Sequence, residues 1–143
     1  MKGQKGFSLV ELLVVVIIIG IIAAIAIPSL LSTLGAANEK AAVGTLRTIH
    51  SSETTYLSRN NEYGTLAELS SAGLLDGVVE GTAKSGYLFV MDADTAKFCV
   101  TASPESGEGK YFVIDTRGTV YTSDALITCV AQEAPEGLTP LGS

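Results

Sequence analysis

The chain is poor in the residues that carry most protein chemistry. Of its 143 residues one is a histidine (His50), two are cysteines (Cys99 and Cys129), and aromatics make up 6%. One histidine rules out a His-pair metal site and leaves no Ser-His-Asp arrangement that the sequence supports. On a helical stripe, His50 reads as packing or surface. No Phe, Tyr or Trp lies between Phe7 and Tyr56, which disfavours electron conduction through stacked rings. Charge is also scarce, at 17% against about a quarter in ordinary soluble domains. It is missing altogether between Glu11 and Glu39. The 9 bases and 15 acids give a net charge of −6, so bulk attraction to nucleic acid or anionic lipid is not expected outside a local patch. Arg47 and Arg59 could join such a patch, but the balance of charge gives it little support. The length suits one domain, and no internal repeat is visible. These absences disfavour a cytosolic globular enzyme, a disordered chain and a multi-span membrane protein alike.

What is present in quantity is apolar side chain, concentrated at the amino terminus. Met1 to Gly6 carries Lys2 and Lys5 and no acid. Phe7 to Ile27 follows, 21 residues interrupted only by Ser8, Glu11 and Gly20. About 20 helical residues cross a bilayer core of roughly 30 Å, and backbone in lipid must bond to itself, so a membrane-spanning helix is expected. Basic residues ahead of it keep the amino terminus on the cytoplasmic side. Ala24-Ile25-Ala26 offers a signal-peptidase-like site. The run is too long for an ordinary secretory signal, however, and apolar residues continue past Pro28 to Leu30, Leu31 and Leu34. Glu11 is the informative position. A charge at mid-bilayer costs roughly 2.5 to 3.5 kcal/mol. Either Glu11 lies near the interface and is hydrated, or it awaits a cation.

Lys5-Gly6-Phe7-Ser8-Leu9-Val10-Glu11, followed by a long apolar run with Pro28, resembles the amino terminus of type IV pilins and type II secretion pseudopilins. The resemblance is close over roughly the first 30 residues and one of layout beyond. It implies that a prepilin peptidase cuts between Gly6 and Phe7, that Phe7 is N-methylated, and that Glu11, fifth in the mature chain, acts in assembly. Removing six residues from 143 leaves 137, and losing Lys2 and Lys5 takes the side-chain charge from −6 to −8. The new Phe7 amine stays cationic after one methylation. An incoming Glu11 could pair with the Phe7 amine of a neighbouring subunit. Opposite charges ~4 Å apart attract by ~4 kcal/mol at an effective dielectric near 20, before desolvation. Such a pair sets register, and burial of apolar segments against one another holds the polymer. The resemblance also marks Gly20 and Pro28 as the ends of a stretch able to unwind in the filament.

The remaining chain reads as helix, then sheet. Ala36 to Leu57 lacks proline, and Ala42, Val43, Leu46, Ile49, His50, Tyr56 and Leu57 form a stripe at helical spacing that Ser52 and Glu53 interrupt. Pro28 is expected to bend or open the helix. Arg59 to Gly64 is a helix stop and loop. Thr65-Leu66-Ala67-Glu68 fits a capping box opening a short helix that stops at Gly73. Gly86 to Met91, Lys97 to Thr101, Lys110 to Asp115 and Thr119 to Thr122 read as four antiparallel strands, with a tight turn at Thr116-Arg117-Gly118. The tail from Ala134, with two prolines, is expected to be mobile. Cys99 and Cys129 both fall where disulfides persist. A bridge would close a loop of about 30 residues, worth ~3.6 kcal/mol, and two buried free thiols are the alternative. A bridge tying the C-terminal segment to the sheet is also what the resemblance implies.

Gly107-Glu108-Gly109-Lys110 lacks the spacing of a phosphate loop and precedes a strand, so it reads as a turn. Asp92 and Asp94 could ligate calcium as acidic loops do in some pseudopilins. Thr95-Ala96-Lys97 does not fit an EF-hand, and a solvated hairpin is favoured. The expectation is therefore an α+β pilin-like fold: a leader over 1–6, a transmembrane and polymerisation helix over 7–35, and a globular domain over 36–143 with the helix on a four-stranded antiparallel sheet. The expected function is a structural subunit, not an enzyme, without cofactor or metal, that forms a homopolymer. By the resemblance its other partners are the prepilin peptidase, an inner-membrane platform with its ATPase, and membrane lipid. It would sit in the inner membrane as a single span and then in a surface pilus or a periplasmic pseudopilus. A major secretion pseudopilin is the nearest rival. A membrane-anchored periplasmic binding domain that never polymerises is the rival from another class.

Overall fold

A computed structural model describes residues 6–142. Met1 to Lys5, and with them the leader lysines Lys2 and Lys5, lie outside the described residues. Helix α1 runs over Leu9–Asn60, α2 over Leu66–Ser71, and five strands follow: β1 Tyr87–Ala93, β2 Phe98–Pro104, β3 Tyr111–Asp115, β4 Val120–Ser123 and β5 Thr139–Pro140. The chain divides into two compact units, Met1–Ala36 and Ala37–Ser143.

In the first unit α1 is the whole structure. Its backbone stays helical past Gly20 and Pro28. Pro28 has no N–H to give the Ala24 carbonyl one turn back. Thr33 Oγ1 donates to Ser29 O at 2.9 Å, a local bond that α-helical spacing permits. Eighteen large apolar side chains from Phe7 to Leu34 stand exposed, each by at least 46%.

In the second unit the carboxy-terminal part of α1 turns one face to a sheet. Ala42, Val43, Leu46, Ile49, Ser52 and Glu53 are buried, spaced three and four apart as one helical face requires. Ser52 and Glu53 do not interrupt this stripe; they belong to it, because each finds a backbone partner for one polar atom. Ser52 Oγ donates to Leu74 O at 2.6 Å, and the Gly64 N–H donates to Glu53 Oε2 at 3.1 Å. Leu46 and Ile49 share a core with Phe89, Phe98, Phe112 and Ile114. After Asn61, at φ 59°, the chain enters α2. Here the Thr65–Glu68 capping box forms as its spacing dictates, and Gly73 at φ 70° lets Leu74 N–H reach back to Leu69 O at 3.0 Å.

The sheet is an antiparallel meander in the order β1-β2-β3-β4-β5. It has five strands where the sequence suggests four. The fifth comes from the tail expected to be mobile: Thr139 pairs with Thr122 and Pro140 with Tyr121, and Leu141 N–H donates to Val120 O at 2.7 Å. A two-residue edge strand has no period to read, and its proline is tolerated only at an edge. The sheet is also covered on both faces. Strand β2 is buried at Phe98, Val100 and Ala102 on the α1 side and at Cys99 and Thr101 on the other. Cys99 and Val113 pack there with Ile127 and Ala134 from the segment after β4. A Cys99–Cys129 disulfide, with Cα atoms 6.0 Å apart, ties that segment down.

Candidate functional site

Gly6 and Phe7 form a non-helical lead-in to α1. Phe7 is 84% exposed. Glu11 lies in the first turn of α1. Ser8 N–H donates to Glu11 Oε2 at 2.9 Å. Ser8 and Glu11 thus have the Ser-x-x-Glu spacing in which a side chain satisfies an orphan amide of the first turn. The sequence reading treated Glu11 as a lone charge and missed this spacing. The carboxylate turns back toward the chain start, at the helix end where negative charge is favoured. One oxygen serves Ser8, and a carboxylate has a second oxygen to offer.

Beyond that turn α1 is apolar on every side. It holds an 18-residue stretch long and apolar enough to cross a membrane, none of it buried. Water-soluble monomers rarely expose a contiguous apolar patch above a few hundred Å². Such a surface requires lipid or copies of itself. Gly20 and Pro28 both lie inside α1, and a Cβ at Gly20 would meet nothing within 4 Å.

Several acidic side chains of the second unit are engaged in structure. Asp94 accepts from the Ala96 and Lys97 amides, both at 2.7 Å, and these bonds hold its carboxyl below the usual range. Asp92 accepts from Gln132 Nε2 at 3.1 Å. Among the described residues no three His, Cys, Asp or Glu side chains gather as a metal group would need. His50 lies 5.8 Å from the Phe98 ring. Gly107 to Lys110 joins β2 to β3 as a loop.

Two buried carboxylates escaped the sequence reading. Asp115 sits at the end of β3. Burial pushes its pKa up, but donation from Arg117 Nε at 2.9 Å and Nη2 at 2.5 Å, and from the Ala134 and Arg117 amides, outweighs that and leaves it lowered. Asp115 therefore joins the β3–β4 turn to the segment behind the sheet. Glu53 is the opposite case. It is fully buried, and its Oε1 has no partner among the described residues. Burial pushes its pKa up to about 7, the Gly64 amide bond pulls the other way, and Glu68 adds repulsion. Glu53 was illegible because its partner Gly64 lies beyond the helix, and the burial of Asp115 because Ala134 comes from the segment after β4.

Residues 1–27 match the family described as the prokaryotic N-terminal methylation motif. The chain is 27% identical over 135 residues to the major component of the type IV wide pilus of Thermus thermophilus, a match covering 94% of this chain and 100% of that protein. It is 30% identical over 95 residues to the type II secretion system core protein G of Escherichia coli, covering 64% of this chain and 66% of the relative. A 28-residue stretch, 20% of this chain and 18% of the relative, is 75% identical to a fimbrial protein of Pseudomonas aeruginosa.

Proposed function

We propose that this chain, which belongs to the type IV pilin and pseudopilin family, is the repeating structural subunit of a pilus filament. Prepilin peptidase cuts between Gly6 and Phe7, and the new Phe7 amine takes one methyl group. The subunit waits in the inner membrane as a single span with its globular domain outside. An inner-membrane platform and its ATPase then move it into the filament. The observation that carries this reading is the set of eighteen exposed apolar side chains from Phe7 to Leu34, on a chain whose remaining core is closed. Lipid covers that surface before assembly and neighbouring subunits cover it afterwards. Each buried CH₂ contributes roughly 0.8 kcal/mol, so burial supplies the strength and a single Glu11–Phe7 pair supplies the register.

The match to the wide-pilus component extends over that protein's whole length, and this favours a pilus over a secretion pseudopilus. The partial match to the secretion core protein keeps a periplasmic pseudopilus as the second reading. Intact mass and N-terminal sequencing of sheared filaments test the proposal. Fibres built of a 137-residue chain beginning at methylated Phe7 are the expected result. A chain starting at Met1 in those fibres overturns the processing. A secretion defect in cells without surface fibres transfers the assignment to the pseudopilus.

A further inference from the structure

The described residues carry seven lysines and arginines. Two are neutralised by acids: Lys97 pairs with Glu133 and Arg117 with Asp115. Three of the other five, Lys40, Arg47 and Lys110, converge on one groove of about 400 Å³ beside α1. Lys40 and Arg47 are seven residues apart on α1, two turns along one face. Lys110 enters from the loop before β3. The apolar side chains of the groove are Val43, Phe112 and Leu141, and one acid, Glu39, lines it with the three cations. In a chain of net charge −6 this concavity is positive with an apolar lining. It calls for an apolar side chain flanked by a carboxylate.

The same chain displays that combination elsewhere. In the loop between α2 and β1, Val78 is buried while Val79 is 58% exposed and is followed by exposed Glu80. The turn is closed by Thr82 N–H donating to Val79 O at 3.1 Å. Val78 anchors the turn, so Val79 and Glu80 project from a fixed base. Leu126, the other strongly exposed apolar residue near an unpaired acid, already borders a hollow of its own with Val90 and Ile127.

We infer that the Lys40–Arg47–Lys110 groove receives the Val79–Glu80 turn of a second copy of this chain. Val79 lies on the apolar lining and Glu80 faces the cations. Groove and turn are different patches of one surface, so the contact is head-to-tail and propagates instead of closing into a dimer. This inference rests on the filament reading above and names a contact between globular domains that the apolar helix does not provide.

The test uses the full-length chain in cells that assemble it. Arg47→Glu and Glu80→Arg each place like charges together, and each is expected to lower sheared-filament yield about tenfold. The double reversal restores the yield. Subunit level in the membrane and an intact disulfide report folding in every strain. In a second arm, Gly44→Cys and Val79→Cys in one chain, treated with a short bis-maleimide, give a ladder of cross-linked subunits in filaments. A Cβ at Gly44 meets nothing within 4 Å, so that variant decides the matter if a charge variant fails to accumulate. Absence of wild-type filaments would overturn the filament reading itself. Normal filaments from the single reversals, no rescue in the double, or no ladder would overturn the groove contact alone.

Discussion

Replacing Glu53 by Gln should abolish a pH dependence of stability that the wild-type chain shows between pH 5 and 8. The folded state raises the Glu53 pKa from 4.5 to about 7. The folded protein therefore holds a proton that the unfolded chain releases, and the stability it contributes is fully present below pH ~4.5 and lost as pH rises through about 7. At 1.36 kcal/mol per pK unit the loss is about 3 kcal/mol by pH 8. Gln keeps an acceptor for the Gly64 amide and carries no charge at any pH. Its NH₂ takes the place of the unpartnered Oε1, which costs about 1–2 kcal/mol. The two stability curves should therefore cross: wild type is the more stable at pH 5, and Glu53→Gln at pH 8. The titrating neighbours Glu68, Glu62 and Tyr56 are common to both proteins and cancel in the comparison. Urea unfolding of the full chain in mild detergent, followed through its five tyrosines, measures both curves. Parallel curves over this range would refute the argument that Glu53 is buried as an acid.

Three further outcomes follow from other sites. Glu11→Ala should leave membrane insertion intact and sharply reduce filament yield; unchanged yield rejects the pairing of Glu11 with a neighbouring Phe7 amine. Cys99→Ser, which opens a link across 30 residues, should cost ~3.6 kcal/mol of unfolding free energy and raise amide exchange first between residues 124 and 138. Asp115→Asn should cost about 1.5–3 kcal/mol, since the half-exposed Arg117 loses its ionic partner and the Ala134 amide its charged acceptor. Because the folded state lowers the Asp115 pKa, its contribution is present above pH ~3.8 and is lost as pH falls through the folded value. The variant's disadvantage should therefore shrink in acid, which acid titration of both proteins measures.

Much of the architecture was legible because it is written in local patterns. The long apolar run, the Thr65-x-x-Glu68 box and the short apolar runs around Phe89 and Val113 each depend on residues within a few positions of one another. The features that escaped depend on distant neighbours. Ser52 and Glu53 looked like gaps in an apolar stripe until Leu74 and Gly64 were placed opposite them. Residues 124–138 have no regular period, so nothing local announced that they would cover the far face of the sheet. Lys110 is 63 positions from Arg47, and their convergence is a product of the fold alone. The Ser8–Glu11 spacing is the exception: it is local, and the cost of a charge in an apolar helix drew attention away from it.

The stretch behind the sheet is moored, not woven. Cys129 is bonded to Cys99, the Ala134 amide to Asp115, and the Leu141 amide to Val120. A strand inside a ladder must keep its length and register, but thread between moorings is free of both demands, and doubling a flexible loop costs only about 0.6 kcal/mol. The span 135–137 can therefore be lengthened or rewritten while the knots hold. On the filament reading, copies of the chain can vary these residues without altering the apolar helix.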